Sequence, residues 1–336
     1  MTMSQPNTPS AAAREAAAAL SPEMRRDFAV VVPAFDEAPV ILDLVRELRS
    51  AFQELGLSGE VILVDDGSTD GTAELAWREA AGWEALRVLT HRKNLGKTEA
   101  MLTAAAATDR SYLVLFDADL QHRCEEIPRF LAKLQEGWDV VTGRKVGTYG
   151  KKGVSSVYNA LSRRIFKVPV SDLNSMKAFR TEILDGMFLR HDWHRFFVVL
   201  AHARGYKVTE IDIELLPRRG GEPKFQGSYR IVIGVMDLLS VWFLLFFSRK
   251  PLLLFGATGF GFTGLGILVG LVTIYLRFLH PMLGFDPYIP PFGYRPLLTL
   301  VMLLETLGFL LVGFGLVSEQ IAQMRHELDD LLRKRR

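Results

Sequence analysis

Between Leu252 and Leu276 the chain carries no charged residue over 25 positions. A helix rises ~1.5 Å per residue, so this run covers ~37 Å, more than the ~30 Å hydrocarbon core of a bilayer. It is read as a transmembrane helix over residues 251–279. A second run, Leu297 to Val317, carries one charge, Glu305, and is read as a second span over 297–318. A third, Ile231 to Phe247, is only 17 residues long and contains Asp237. With Trp242 at the level of a membrane interface, it is read as an interfacial or re-entrant helix over 231–250.

Cations near the helix ends set the orientation. Arg249 and Lys250 precede the first span, and Arg325, Arg333, Lys334, Arg335 and Arg336 follow the second. The connecting loop, 280–296, has only Arg295, with Arg277 just before it. The positive-inside rule puts this loop outside, and the front domain and the basic tail, 319–336, in the cytoplasm. The expectation is a multi-pass protein of the cytoplasmic (inner) membrane. Residues 1–27, with the tract AAAREAAAAL, lack the basic and apolar regions of a signal peptide and are read as a disordered or loosely helical leader. A net charge of +2 gives no reason to expect bulk nucleic-acid binding, and the single Cys124 permits no internal disulfide.

Residues 28–230 alternate apolar strands with amphipathic helices. The strands are FAVVVPAF, EVILVDDGSTDGT up to its turn, LRVLT, SYLVLFDADL and DVVTGR. Helical segments are read over Val40–Leu55, where Ile41, Leu44, Val45, Leu48 and Phe52 share a face, and over Thr72–Ala81, Gly96–Ala107 and Ile127–Glu136. This alternation predicts an α/β fold, a doubly wound, mostly parallel Rossmann-like sheet. Ligands of such sheets bind beyond the carboxyl ends of the strands. Asp36 and Glu37, Asp65 and Asp66, and Asp117 and Asp119 all fall there.

Asp117 and Asp119 end the fourth strand, separated by Ala118. If both lie on strand backbone they point to one side, and two close carboxylates call for a cation. A hard divalent ion, Mg²⁺ or Mn²⁺, suits oxygen ligands and commonly bridges substrate phosphates. The alternative is that both only cap the following loop. In VDDGSTDGT, residues 64–72, Gly67 and Gly71 suit a tight turn and Ser68, Thr69 and Asp70 suit a helix cap. Asp66 is then a spare carboxylate able to accept from a nucleobase.

Two motifs are set aside. NLGKT has His91 where a phosphate-binding P-loop needs glycine, and GFGFTG, residues 259–264, lies inside the first span. The glycines there, with Gly266 and Gly270, suit helix packing, and a partner copy is one candidate for it. PRRGGEPKF, residues 217–225, is either a basic stretch drawn to anionic head groups or a phosphate clamp. Arg144, Lys151 and Lys152 form another cationic stretch. His194 beside Arg195 stays ambiguous, and nothing there suggests zinc.

Taken in order, VVVPAFDEA, VDDGSTDGT, NLGKTEA, DADLQH, TGR, SDLNSMKAFR, HRF and PRRGGEPKF resemble the family 2 inverting glycosyltransferases of GT-A fold. Within them the set is similar to the polyprenyl-phosphate glycosyltransferases with C-terminal membrane helices. The resemblance implies nucleotide-sugar contacts at Pro33, Phe35, Glu37, Asp66, Lys97, Asp117, Ala118 and Asp119, and metal ligation by Asp117, Asp119 and Gln121. It implies acceptor-phosphate contacts at Arg144, Lys151, Ser155, Arg218 and Lys224, and catalytic roles for Asp119, Arg144 and Arg218. Phe35–Asp36 replaces the usual Tyr-Asn, and Pro223 stands where Ser is usual.

The implied reaction moves a hexose from a UDP- or GDP-sugar to an undecaprenyl or dolichyl monophosphate at the cytoplasmic membrane face, with Mg²⁺ or Mn²⁺. A phosphate monoester is mostly dianionic at neutral pH, so it needs orienting cations more than a general base. The rival enzyme reading glycosylates a lipid hydroxyl, such as diacylglycerol or ceramide, with Asp172 as base. A non-enzymatic rival is a transporter or scaffold, for which two spans are few.

Overall fold

The computed structural model describes residues 9–146, 166, 168–173, 175–187, 189–190, 193–217, 219, 236, 238–243, 245, 250–285 and 293–334. The chain divides into two units, Met1–Ser228 and Tyr229–Arg336.

The first unit carries seven strands: β1 (Phe28–Ala34), β2 (Glu60–Asp65), β3 (Leu86–Thr90), β4 (Tyr112–Leu115), β5 (Val140–Val146), β6 (Lys177–Arg180) and β7 (Val208–Glu214). Their order is β3-β2-β1-β4-β6-β5-β7. β1 pairs in parallel with both β2 and β4, and β5 with β7. The expected mostly parallel α/β sheet is therefore present, with one reversal. β6 runs antiparallel to both β4 and β5 and keeps them apart.

The helices follow the predicted periodicity closely: α2 (Ala38–Glu54), α3 (Thr72–Glu79), α4 (Lys97–Ala106) and α5 (Ile127–Gln135), with α6 at Phe197–Ala203. α2 starts with Pro39 in its first turn, where a missing N–H costs nothing, and buries Ile41, Leu44, Val45, Leu48 and Phe52. The core forms where these faces meet the strands, and Val30, Ile62 and Val114 are fully enclosed.

The leader expectation needs correcting over its second half. α1 (Ala11–Ala19) is a regular helix, capped by the Ser10 hydroxyl, which accepts from the Ala13 N–H at 3.2 Å. Ala13 and Ala17 are buried, and Leu20 and Met24 join the core. Alanine has the highest helix propensity, and its small side chain permits close packing on α5. β6 and β7 were absent from the expected elements. KAFR is too short to announce a strand, whereas the alternation of VTEIDIE is a strand signal.

The second unit contains two helices long and apolar enough to cross a membrane, Pro251–Met282 and Arg295–Met324. The first comprises α7 (Pro251–Ile274), a π-helical turn over Tyr275–Leu279 and a final turn, His280–Met282. The second belongs to α8 (Arg295–Lys334), so the expected tail continues the helix as far as Lys334. α7 and α8 pack directly on each other. A Cβ at Gly259 would stand 2.7 Å from the Gly308 carbonyl oxygen, and one at Gly266 2.7 Å from Glu305 Oε1. These two glycines thus serve packing within the chain, the small-residue mode of membrane helices. Of the expected interfacial helix, the described positions 236, 238–243 and 245 are helical.

Candidate active site

The sheet order sets the location. From β1 the chain moves outward through β2 and β3, then returns to β4 on the other side of β1. The carboxyl ends of β1 and β4 mark this reversal, the usual ligand position in such sheets. Phe35–Glu37 follow β1 and Phe116–Gln121 follow β4, and the two strands stay paired to the rim, where the Phe116 N–H donates to the Val31 carbonyl at 2.9 Å.

The turn after β2 is tied to the turn after β1. The Ser68 hydroxyl donates to Asp65 and accepts from the Asp36 N–H at 2.8 Å. Asp36, at a left-handed φ of 47°, accepts from the Thr69 N–H at 3.0 Å. The Glu37 N–H donates to the Thr72 hydroxyl at 2.9 Å, and the Ala38 N–H to Asp70 at 2.9 Å. Burial works to raise the Asp70 carboxyl, but hydrogen bonds from Thr72 and Ala38 outweigh it and hold it below its ordinary value. Gly67 has φ 76°, and a Cβ there would meet the Lys93 carbonyl carbon at 2.6 Å. Only glycine allows this close approach of the β2 turn to the turn before α4.

Asp66 differs from its expected spare role. It is 4% exposed, and its carboxylate accepts from the Leu95 N–H at 2.8 Å and the Gly96 N–H at 2.7 Å. His91 Nδ1 lies 2.7 Å from Asp66 Oδ1, and His91 Nε2 lies 2.9 Å from the Thr103 hydroxyl. Asp66 therefore holds the entry to α4, because a buried carboxylate must satisfy its lone pairs locally. The same bonds fix the start of α4, whose first residue, Lys97, forms an ion pair with Asp117 beyond β4.

β4 ends at Leu115, so Asp117 and Asp119 stand on a turn rather than on strand backbone, and the same-face argument does not apply. Desolvation disfavours the Asp117 carboxylate, but Lys97 above all, then His122 and Lys145, hold it well below the usual carboxylate range. The balancing cation supplied by the chain is thus Lys97. Asp119 accepts from the Gln121 N–H at 3.2 Å. Gln121 is tied to the segment after β7: its carbonyl accepts from the Leu216 N–H at 2.9 Å, and its side-chain amide donates to the Leu216 carbonyl at 3.4 Å. Ala118 is in the core, and Pro33 and Phe35 are half-buried.

Sequence reasoning missed His122 and Lys177. His122 is 3% exposed, and its Nδ1 has no hydrogen-bond partner among the described residues. Burial pushes its imidazole below the ordinary value, against the pull of Asp117 and Asp119. Lys177 is enclosed in β6, where a lysine between Met176 and Ala178 was the only signal.

The expected acceptor residues are less complete. Arg144 forms a two-pronged pair with Asp212, its cross-strand partner, at 2.8 Å for Nη2, and reaches Glu210 at 3.4 Å. Its guanidinium is therefore already committed to two carboxylates. Arg219 pairs with Glu47 of α2. Lys151, Ser155, Arg218 and Lys224 lie outside the described residues. Asp172, the alternative base, is 9% exposed, and Lys145 stands 3.6 Å from its carboxylate.

The side-chain oxygens of Asp117, Asp119 and Gln121, within five residues, suit a hard divalent cation. Among the described residues no three His, Cys, Asp or Glu side chains form a closed metal cluster.

The family model described as Glycosyl transferase family 2 matches residues 29–192. Undecaprenyl-phosphate 4-deoxy-4-formamido-L-arabinose transferase of Klebsiella pneumoniae is 30% identical over 306 residues, covering 89% of each chain. The protein of that name from Salmonella newport is 29% identical over 307 residues, again with 89% of each covered. Among solved structures, glucosyl-3-phosphoglycerate synthase from Mycobacterium tuberculosis, with Mn²⁺, UDP-glucose and phosphoglyceric acid, superposes with a TM-score of 0.53 at 18% identity, covering 73% of this chain and 86% of that one. Its complex with Mg²⁺ and UDP gives 0.51 at 19% identity, covering 70% and 85%.

Proposed function

Because this chain belongs to glycosyl transferase family 2, we propose that it transfers a sugar, with inversion, from a nucleotide sugar to a polyprenyl monophosphate at the cytoplasmic face of the inner membrane. The observation that carries this reading is the 30% identity to an undecaprenyl-phosphate sugar transferase over 89% of the chain. The acidic turn at the β1/β4 reversal supports it, since that is where a nucleotide would lie.

In this reading Asp117, Asp119 and Gln121 hold Mg²⁺ or Mn²⁺. The bound ion would neutralise charge on the departing nucleoside diphosphate. Lys97 keeps Asp117 ionised, and Asp66 keeps Lys97 in place through the turn before α4. Pro33, Phe35, Glu37 and Ala118 border the nucleotide. Arg218 and Lys224, with Lys151, Ser155 and an Arg144 released from Asp212, orient the acceptor phosphate. A dianionic acceptor needs no proton removed, so rate rests on alignment and electrostatics.

The test is incubation of the purified chain with polyprenyl monophosphate and a panel of labelled UDP- and GDP-linked pentoses and hexoses. The expected product is a sugar phosphodiester that mild acid cleaves. An acid-stable glycolipid would overturn the acceptor assignment in favour of a lipid hydroxyl.

A further inference from the structure

Lys177 is 1% exposed and sits at the end of β6 that faces Leu115 of β4 and Thr142 of β5. A buried ammonium is costly unless it is well bonded. This one donates to two backbone carbonyls, Leu173 at 3.1 Å and His194 at 3.3 Å. Both belong to short segments outside the strands and the α-helices. Leu173 follows Asp172, whose carbonyl accepts from the Thr142 hydroxyl at 3.0 Å. His194 lies in a single turn, Trp193–Arg195, and its N–H donates to the Thr98 hydroxyl at 3.1 Å. Thr98 is fully buried in the first turn of α4, next to Lys97. A continuous chain of contacts thus runs from Lys177 through His194 and Thr98 to the Lys97–Asp117 pair.

We propose that Lys177 is a positioning residue for sugar transfer: by clamping the Leu173 and His194 carbonyls it fixes the start of α4, and so the place where Lys97 meets Asp117. The proposal rests on the glycosyl-transfer reading above. It also explains why an ammonium stands where an apolar side chain would fill the same space without desolvation cost. Charge-assisted bonds to carbonyls are roughly twice as strong as neutral ones, and a single ammonium can bridge two segments at once. The charged groups around it are Lys97 on α4, Asp117 after β4, Lys145 on β5 and Asp172 before β6. Burial lowers the Lys177 ammonium to about 7, with Lys97 and Lys145 adding to the shift and Asp117 and Asp172 opposing it. The clamp is therefore mostly charged below that pH and loses its charge progressively above it.

The experiment compares the full-length wild type with Lys177→Met, Thr98→Val and the double variant, in transfer assays from pH 6 to 9. Lys177→Met is expected to lower kcat by about 10- to 100-fold, the cost of a small misplacement at a reacting centre, with a much smaller change in donor KM. Thr98→Val should show the same pattern more weakly, and the double variant should be no worse than Lys177→Met. Wild-type kcat should decline as pH rises past about 7, and this decline should be missing in Lys177→Met. Wild-type kcat in a folded Lys177→Met, or losses that simply multiply in the double variant, would overturn the proposal. If Lys177→Met does not fold, Thr98→Val decides: unchanged kcat there overturns the proposal, and a kcat-selective loss supports it. A wild type that transfers no sugar to polyprenyl phosphate overturns the underlying reading, and the proposal with it.

Discussion

Lys97, the first residue of α4, forms an ion pair with Asp117, the first carboxylate beyond β4. The two are 20 positions apart, and the sheet order brings them together beyond the carboxyl ends of the strands. Lys97→Met should therefore raise the Asp117 carboxyl, since Lys97 is the strongest influence offsetting its desolvation. A carboxylate with a depressed pKa stays charged down to low pH. Without Lys97 it takes up a proton at higher pH, and the acid limb of the activity profile moves upward. A pH–rate profile with an unmoved acid limb would refute the coupling.

Asp119→Asn should abolish tight divalent-ion binding in the presence of nucleoside diphosphate and lower transfer by about 100-fold or more. Mn²⁺ titration followed by electron paramagnetic resonance reads the first effect without an activity assay. Unchanged Mn²⁺ affinity would remove Asp119 from the metal site.

Asp66→Ala should destabilise the chain even without nucleotide. It strands the half-buried Leu95 and Gly96 N–H groups, at up to about 1–3 kcal/mol for each group left unsatisfied. Thermal unfolding of the nucleotide-free protein checks this. A residue used only to read a nucleobase would leave Tm unmoved.

Asp212→Asn loosens the grip on Arg144, whose guanidinium it holds above its ordinary value chiefly through their hydrogen bonds. If Arg144 serves the acceptor phosphate, this variant should lower the acceptor KM and Arg144→Ala should raise it, both without a change in donor KM. Equal effects on donor and acceptor would place Arg144 outside the acceptor site.

Gly308→Val should weaken the helix hairpin, because a Cβ there would stand 2.9 Å from the Gly259 carbonyl oxygen. Gly264→Val, with nothing within 4 Å of its Cβ, is the matched control. The Tm of the detergent-solubilised protein should drop for the first and hold for the second.

The features that need only local rules were legible in the sequence. Five apolar strands, the helix faces and the two long uncharged runs follow from periodicity and hydropathy, which depend on neighbours a few residues away. The acidic turn and its motif set were legible for the same reason. What the sequence did not settle depends on partners far along the chain. β6 is four residues long and exists because β4 and β5 both bond to it. Asp66 reads as a free strand-end carboxylate until the turn before α4 folds onto it, 29 and 30 residues away. Lys177 reads as one lysine among many until the sheet encloses it, and only then does its charge acquire a cost and a task. Local chemistry determined that the chain would form a mostly parallel α/β sheet and two helices long and apolar enough to cross a membrane. Long-range packing decided which charges meet, because burial and pairing are properties of the assembled fold.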